Sequence, residues 1–557
     1  MIHALLPILL VTSPGPEPPT LLLTNARVWT ADRARPWAEA VAIRGERIVF
    51  VGSAAEAESL RAAQTRVEDL GGALLLPGFN DAHIHLMSGA LALERVDLIE
   101  DTALEGVQER IRAFAVAHPE RPWVLGRGWL YGAFPEGMPV RQQLDAVVAD
   151  RPAYMECYDG HTGWANSKAL AVAGITHETA DPPNGEIVRD ARGEPTGALK
   201  EAAVGLVESH IPAPDEESRY RLLVQALAEL SSRGVTSVQD AGYAPEDARR
   251  MLRLLERARR ESRLSVRVAL SIQLEPDAYE PAIEAARALA QTHAGPWLRV
   301  GAVKAYVDGV VESRTAAMLD PYPRGEERGR PNWAPEALQS AVTAADRAGL
   351  QVYLHAIGDR GVRMALDAHE AARRANGPRD RRGRIEHIET IHPDDDPRFA
   401  ELGVIASMQP LHADPNSNIF AVWAVNAGPK RARRAFGWRS LEVAGARLAF
   451  GSDWPVVTSD VRRGLYCALT RRTRDGVPEG GWLPEEAVTL ESALRHYTVD
   501  AAYASFEENE KGTLAAGRLA DLVALSADPF REGPAALLRA VVRLTVVGGR
   551  VVYEDGQ

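Results

Sequence analysis

The sequence is poor in cysteine, and this limits the kinds of metal site and cross-link that it can form. Its 557 residues contain two cysteines, Cys157 and Cys467. Two are too few for a disulfide framework or for a four-cysteine metal site. Any bound metal would therefore be held by histidine and carboxylate side chains. Apolar residues make up 46% of the chain and charged residues 25%, which excludes a disordered tail protein and a coiled coil.

The sequence also lacks an excess of basic residues and a long apolar run. Lys and Arg total 64 and Asp and Glu total 76, for a net charge of −12. Binding to nucleic acid or to an anionic membrane needs clustered basic residues, so neither is expected. The apolar run ALLPILLV (4–11) has eight residues, and a membrane-spanning helix needs about 20. We therefore expect no stable membrane insertion and a small molecule as the partner.

Residues 1–20 allow two interpretations. The run 4–11 has the length of a signal-peptide core and precedes the proline-rich TSPGPEPPT (12–20), but no Lys or Arg occurs before Arg27 and no A-x-A cleavage signal follows. The segment is therefore either signal-like or a disordered N-terminus. The first interpretation places the protein in the periplasm or outside the cell, and the second in the cytoplasm.

Both ends of the chain are predicted to form short strands. Residues 21–76 have the pattern of short strands joined by turns. The same pattern occurs near the C-terminus, in DLVALS (521–526) and AVVRLTVVGGRVVYEDG (540–556). Neither end alone has enough strands for a stable sheet. We expect residues 21–76 and 505–557 to form one composite β-sandwich domain.

The middle of the chain alternates apolar strands with helical stretches, a pattern typical of a parallel α/β fold. Eight strand candidates predict a (β/α)8 TIM barrel over residues 77–504. About 150 residues separate the first candidate from the second, so an inserted α+β domain is expected at 88–230. The candidates are LLLPGFNDAHIH (74–85), GVTSVQD (234–240), LSVRVALSI (264–272), LRVGAVKAYVDG (298–309), QVYLHAIGD (351–359), RGRIEHIE (382–389), GVIASMQP (403–410) and RLAFGSDWP (447–455).

Six polar residues lie at or near the predicted carboxyl ends of these strands, where barrel enzymes place their sites. Taken one at a time, each has an ordinary structural explanation: a buried histidine, a lysine paired with a carboxylate, or a loop-capping aspartate. An inward Lys304 could also be carbamylated by CO2, which would make it an anionic ligand for two metals. The six are His83, His85, Lys304, His355, His387 and Asp453.

Taken together, the six residues match a hydrolytic metal centre. Neutral imidazoles and carboxylates suit divalent ions, with Zn²⁺ favoured. Such an ion makes hydroxide available near neutral pH, and Asp453 could take the proton from that water and pass it to the leaving group.

The motifs resemble the amidohydrolase superfamily in PGFNDAHIH, the strand-four lysine and GSDWP. They are most similar to the metal-dependent amidohydrolases (amidohydrolase family 3) that include YtcJ-like and N-substituted formamide deformylase-like proteins. The motifs that carry this closer similarity are GRGW (126–129), DGHTGWANSKAL (159–170), PTGALKE (195–201), VKAYVDGVVESRTA (303–316) and SMQPLHADP (407–415).

The resemblance covers nearly the whole chain from about residue 21. It implies that the six residues hold two ions bridged by carbamylated Lys304. The inserted domain would cover the barrel mouth, where His161 could polarise a substrate carbonyl. Many relatives have a small residue where this chain has Glu312, which could contact substrate or pair with Arg314; the ion pair is favoured.

Other substrate-contact candidates follow from position alone. Trp129 and Trp164 could form an apolar wall with Trp423 and Phe436, although core tryptophans are an equal alternative. Gln409 and His412 follow strand seven at the rim. Asp240, at the end of strand two, could orient a ligand histidine or cap the next helix.

The function expected is hydrolysis of a non-peptide carbon–nitrogen bond, in an amide, an N-substituted formamide or a cyclic amide. A hydrolase of esters, or a lyase or isomerase on the same fold, is an alternative, since fold does not fix the reaction. A non-catalytic metal-binding relative is the other alternative. A homodimer is compatible with the sequence.

Overall fold

The computed structural model describes residues 17–134, 137–323 and 325–556. Most of the predicted signal-like or disordered segment, residues 1–16, lies outside this range. The first described region is strand-rich. Its elements are β1 (Leu21–Thr24), β2 (Arg27–Trp29), β3 (Trp37–Ala38), β4 (Ala40–Arg44), β5 (Arg47–Gly52), α1 (Ala54–Glu58), β6 (Arg66–Asp69) and β7 (Leu74–Pro77).

The first barrel strand is followed by a long segment with a sheet of its own. That sheet has the order β13-β14-β12-β11-β10-β9. The elements are β8 (Phe79–Ile84), α2 (Leu86–Ala92), β9 (Val96–Asp97), α3 (Leu104–Ala117), β10 (Val124–Trp129), α4 (Arg141–Asp145), β11 (Ala153–Cys157), β12 (Thr162–Ala165), α5 (Ser167–Val172), β13 (Gly185–Arg189), β14 (Pro195–Glu201) and α6 (Gly205–Glu208).

The chain then completes an eight-stranded parallel sheet in the order β21-β20-β19-β18-β17-β16-β15-β8. Its elements are α7 (Glu216–Ser232), β15 (Val235–Tyr243), α8 (Pro245–Arg260), β16 (Arg267–Gln273), α9 (Tyr279–Thr292), β17 (Leu298–Tyr306), α10 (Pro335–Arg347), β18 (Gln351–Ala356), α11 (Asp359–Asn376), β19 (Arg384–His387), α12 (Asp396–Leu402), β20 (Ile405–Met408), α13 (Ala424–Ala432), α14 (Trp438–Val443), β21 (Arg447–Phe450), α15 (Val461–Thr470), α16 (Leu490–His496) and α17 (Val499–Ala504).

Strands from both ends of the chain meet in one sheet. The last elements are β22 (Leu522–Leu525), α18 (Pro529–Glu532), α19 (Ala535–Arg539), β23 (Val542–Val547) and β24 (Arg550–Glu554). They extend a six-stranded sheet of order β24-β23-β22-β7-β2-β3, beside a four-stranded sheet of order β5-β4-β1-β6. Apolar side chains of the two sheets, such as Leu23, Val41 and Leu522, share one buried cluster.

The predicted eight-stranded α/β barrel is confirmed, with one strand divided. Residues 74–85 were expected to form one strand, but Gly78 separates β7, which joins the terminal sheet, from β8, which begins the barrel. A Cβ on Gly78 would lie 2.2 Å from the Thr236 side chain, so only glycine permits this close crossing between the two sheets.

Alternation along the barrel strands determines which side chains face the interior. On β17, Val303 and Ala305 join the large apolar cluster that the helices complete, while Lys304 between them points the other way. Within the described residues, none of the helices combines the length and apolar character needed to cross a membrane.

Candidate metal centre

Asp453 lies where the last barrel strand meets the first. Its side chain contacts both histidines of β8 and its loop: Oδ1 is 3.5 Å from His83 Nε2 and 3.2 Å from His85 Nε2. Asp453 has φ 60°, a left-handed conformation that costs a non-glycine residue free energy and is concentrated at functional sites. The chain therefore turns sharply here to bring this carboxylate over the barrel mouth.

His355 and His387 approach the same point from β18 and β19. Their rings lie 4.5 Å apart, and the ring of His387 is 4.9 Å from that of His83. Neighbouring residues of a strand face opposite sides, so His387 would point out of the barrel because Glu386 points into it. The backbone of His387 instead has a φ of 77°, which turns its side chain toward the barrel mouth.

His412 extends the cluster beyond the six predicted residues. Its ring stacks parallel to that of His387 at 5.7 Å, and its Nε2 is 3.5 Å from Asp453 Oδ2. The side chains form two groups, and within each group the ligand atoms lie within 4.8 Å of one another. The first group is His83, His85 and Asp453, and the second is His387, His412 and Asp453. The shared carboxylate makes the arrangement suitable for neighbouring divalent ions.

Lys304 lies beside the first of these groups. It is fully buried, and its Nζ lies 3.3 Å from His83 Nε2. Burial lowers the pKa of Lys304 to about 8, against the attraction of Glu386 and Asp453. The amine is thus closer to its neutral form than an exposed lysine would be.

Three buried atoms around this point have no hydrogen-bond partner among the described residues. They are His355 Nε2, His412 Nε2 and Asp453 Oδ1. Buried polar atoms are rarely left unsatisfied because each costs about 1–3 kcal/mol. A divalent cation would satisfy such lone pairs, so the donor set fits a metal.

The protonation states also fit metal binding. Burial lowers the pKa of His83 to about 4 and that of His355 and His387 well below the ordinary value. Neutral imidazole is the form that offers a lone pair to a metal. Although burial opposes ionisation of Asp453, electrostatic interaction with the neighbouring His83 and His85 rings holds the pKa of its carboxyl well below the ordinary range.

Buried residues that were not anticipated from the sequence orient the histidines. His83 Nδ1 donates to Glu386 Oε2 over 2.6 Å, and Arg384 donates to both oxygens of Glu386. The hydrogen bond to Nδ1 leaves His83 Nε2 facing Asp453, a common arrangement around metal-ligating histidines. The alternation Arg384-Ile385-Glu386 could have identified Arg384 and Glu386 from the sequence. Since Ile385 is apolar and suits the helix layer, its two polar neighbours are expected to face the barrel interior, as was argued for Lys304.

Gln409 supports a histidine in the same way. Its Oε1 accepts from His387 Nδ1 over 2.8 Å, and the residue is almost completely buried. Its side chain is not among those that line the cavity, so the structure gives Gln409 a ring-positioning contact in place of the predicted substrate contact.

The cluster opens into a cavity of about 370 Å³. The insertion supplies one wall and the barrel loops supply the other. The lining side chains include those of Arg127, Glu156, Tyr158, Asp159, His161, Tyr306, Glu312, His355, His387, Glu389, His412 and Asp453.

His161 reaches this cavity from the insertion. Its Nδ1 donates to Glu201 Oε2 over 2.9 Å. Although burial opposes the charged ring, this bond and the negative charges of Glu201 and Asp159 raise the pKa of His161 to about 9. A protonated His161 can donate a hydrogen bond to a substrate oxygen.

The favoured ion pair between Glu312 and Arg314 was wrong. Arg314 pairs with Glu327 at 3.2 Å, and Glu312 instead accepts a hydrogen bond from Tyr158 and lines the cavity. The two side chains leave the loop in different directions, so nearness in sequence does not bring them together.

The predicted aromatic wall is not formed by the tryptophans. Trp129 and Trp164 are fully buried in an apolar cluster of the insertion. Their indole N–H groups donate to Met155 O and Val140 O. Trp423 is also buried and donates to Glu389 Oε2 over 2.6 Å. Apolar contacts in the cavity come instead from smaller side chains, those of Val310, Ile357, Pro455 and Val456.

Asp240 caps the helix that follows the first barrel strand. Its Oδ1 accepts from the backbone N–H of Leu86 over 2.9 Å and its Oδ2 from Tyr243 Oη. This contact fixes the first turn of α2, directly after His85. Asp240 thus acts on the backbone beside His85.

Comparison with known proteins agrees with this geometry. A family model described as "Amidohydrolase family" matches residues 66–553. The chain is 32% identical to Protein LONG AFTER FAR-RED 3 of Arabidopsis thaliana, over 98% of this chain and 93% of that protein. It is 30% identical to an N-substituted formamide deformylase of Arthrobacter pascens, over 96% and 98% of the two chains.

Among solved structures, an uncharacterized metal-dependent hydrolase from Pyrococcus furiosus superposes with a TM-score of 0.69 and 26% identity. The match covers 92% of this chain and all of the other. The family and this neighbour support a hydrolase, and the histidine–aspartate groups described above are its candidate metal-binding groups. The chain belongs to the amidohydrolase family.

Proposed function

We propose that this protein is a metal-dependent hydrolase that cleaves the carbon–nitrogen bond of a small-molecule amide, such as an N-substituted formamide or a cyclic amide. The observation that carries the proposal is the convergence beside one cavity of three buried atoms without a hydrogen-bond partner among the described residues, namely His355 Nε2, His412 Nε2 and Asp453 Oδ1. The deformylase named above, which shares 30% identity along nearly its whole length, supports the choice of bond.

The proposed metal set is the one predicted from the sequence, with one addition. His412 joins His83, His85, His355, His387 and Asp453, because its Nε2 faces Asp453 Oδ2 at 3.5 Å. Imidazole and carboxylate ligands suit Zn²⁺. When bound, a divalent ion supplies Lewis-acid polarisation of water and of a substrate carbonyl.

Lys304 completes the proposed centre after carbamylation. Its neutral amine would attack CO2 to form an N–C bond and release one proton, which converts the side chain into an anion with two ligand oxygens. The lowered pKa of about 8 supports this chemistry because only the neutral amine is nucleophilic. The position of Nζ, 3.3 Å from His83 Nε2, supports a role for the carbamate as a ligand in the same centre.

Two side chains would act on protons and on the substrate. Asp453, held ionised by the surrounding histidines, would accept a proton from water and deliver it to the leaving nitrogen. His161, positively charged through its bond to Glu201, would donate a hydrogen bond to the substrate carbonyl oxygen as negative charge develops there.

Metal content and turnover test this function directly. We expect about two ions per chain in the protein purified without chelator, and chelator-sensitive hydrolysis of at least one member of an amide and formamide panel. Lys304→Ala should lose much of the bound metal, whereas the control His118→Asn, outside the cavity, should retain it. If the parent and Lys304→Ala both hold about one ion per chain, the bridging role of Lys304 is wrong. If the parent binds no metal after reconstitution, the proposed function is wrong.

A further inference from the structure

Glu312 is a buried carboxylate in the wall of the candidate active-site cavity. It is 8% exposed, and it lies on the loop after β17, on the barrel side of the cavity. Tyr158 Oη donates to its Oε1, and Asn418 Nδ2 in turn donates to Tyr158 Oη over 3.1 Å. Tyr158 thus holds one oxygen of Glu312, and within the described residues no side chain donates to the other.

The cationic side chains nearest to Glu312 have hydrogen-bond or ion-pair partners other than its carboxylate. Arg314 pairs with Glu327, and His161 donates through Nδ1 to Glu201. Arg127 donates to the backbone oxygens of Pro455 and Tyr158. Within the described residues, Glu312 has no lysine, arginine or histidine nitrogen within 4.0 Å. A buried carboxylate without a cation is costly.

Two further carboxylates increase the negative charge of this wall. Asp159 lines the cavity from the insertion, and its Oδ2 is buried without a hydrogen-bond partner among the described residues. Glu389 lines it from the barrel side, with Trp423 bonded to one oxygen and His412 Nδ1 3.7 Å from the other. Burial and repulsion by Glu389 and Asp159 raise the pKa of Glu312 well above its ordinary value.

We infer that the substrate carries a positively charged nitrogen group, such as an ammonium or amidinium, that binds between Glu312 and Asp159. The inference rests on the proposed amide hydrolysis and specifies its substrate. A cation placed there would pair with Glu312, satisfy the free oxygen of Asp159 and relieve the repulsion between the carboxylates. A neutral apolar group would bury these carboxylates further without compensating them.

The same cavity sets the direction of the substrate. His412 connects the two regions, since its Nε2 faces Asp453 and its Nδ1 faces Glu389. The scissile amide would lie at Asp453, and the cationic end would extend past His412 toward Glu312. A cation separated from the amide by a short chain therefore matches the site.

A matched substrate series tests the inference. The probes are formamides of linear diamines with two to six methylenes, alkylformamides of equal length, and formamido acids that carry a carboxylate at the far end. We expect the metal-loaded parent to favour the cationic formamide over its neutral counterpart, measured as a ratio of kcat/KM. Glu312→Gln should reduce that ratio by roughly thirtyfold or more, the loss typical of a buried charge pair.

Two further variants make the test specific. Glu312→Lys should shift the preference toward the anionic formamides. Glu327→Gln, which removes the partner of Arg314 outside the cavity, should leave the ratio of the parent unchanged. Turnover of the neutral series at the same kcat/KM as the cationic series in the parent would overturn the inference while leaving the hydrolase function intact.

A binding arm separates the inference from the proposed function. Calorimetric titration of the parent with the free diamines and with uncharged alkanols of equal length measures recognition without turnover. If no probe is hydrolysed but the diamines still bind more tightly to the parent than to Glu312→Gln, the amide-hydrolase function fails and the cation site stands. Equal binding by both proteins would overturn the cation site.

Discussion

Asp453 and His83 are joined by their backbones across the junction between the last and first barrel strands. The N–H of Asp453 donates to the carbonyl oxygen of His83 over 2.7 Å, while their side chains meet at 3.5 Å. Asp81 supports the same junction, because its Oδ1 accepts from the N–H groups of Ser452 and His83. Barrel closure and the geometry of the candidate metal centre therefore depend on the same few hydrogen bonds.

Replacement of Asp453 by Asn should abolish most turnover without unfolding the protein. Asn tolerates the left-handed φ of this position, but its amide cannot accept the proton from water. We expect kcat to fall by about 10²–10⁴-fold on any amide that the parent hydrolyses. Asp460→Asn, at the N-cap of α15, is the matched control and should retain activity, and unchanged kcat in Asp453→Asn would contradict the assigned role.

Glu386→Gln should weaken both metal binding and the fold. The change removes the anionic partner of Arg384 and of His83 Nδ1, all of them fully buried. Loss of one member of a buried ion pair costs about 3–5 kcal/mol, and loss of the hydrogen bond that orients a ligand histidine weakens metal binding about 10–100-fold. Urea denaturation and a metal titration measure the two effects, and an unchanged metal affinity would exclude a role in orienting His83.

Much of the fold could be predicted because barrel strands are short apolar runs between amphipathic helices. The eight strand candidates correspond to β8 and β15–β21. The division at Gly78 could not be predicted, since LLLPGFNDAHIH is apolar and continuous, and the reason for the break is contact with Thr236, which is distant in sequence.

The site was harder to predict than the fold because its supporting contacts come from distant segments. Strand ends indicated His355 and Asp453, but Glu386 and Gln409 act through rings whose orientation the sequence does not define. For Glu312, sequence proximity favoured Arg314, and the observed partner is Tyr158 from the insertion. For Trp129, a substrate wall and the core were equal alternatives, and the structure places the side chain in the apolar cluster of the insertion.

Trp129→Phe should affect stability more than substrate recognition. The indole is fully buried against Tyr131 and Phe134 and donates to Met155 O. Loss of this hydrogen bond and of part of the ring should lower the free energy of unfolding by about 1–3 kcal/mol. Denaturation measures the loss, and a large rise in KM at unchanged stability would instead support a substrate wall.

Stability should decrease above neutral pH through His161. The folded-state pKa of about 9 lies above the ordinary value of 6.5, so its stabilising contribution is complete below pH 6.5 and is lost as the pH rises through 9. The slope from this group is at most about 1.4 kcal/mol per pH unit. Urea denaturation from pH 6 to 9.5 should show this decrease in the free energy of unfolding in the parent but not in His161→Gln. The same pH dependence in both proteins would contradict a charged pair between His161 and Glu201.

Reloading of the metal should depend on dissolved CO2 if Lys304 is carbamylated. The unmodified amine is a weak ligand, whereas the carbamate is an anion with two oxygens. Chelator-stripped protein given Zn²⁺ in CO2-free buffer should therefore recover less metal than the same protein given bicarbonate. Lys304→Ala should bind little metal under either condition. Equal recovery by the parent with and without bicarbonate would show that Lys304 contributes as an amine, through its contact with His83 Nε2.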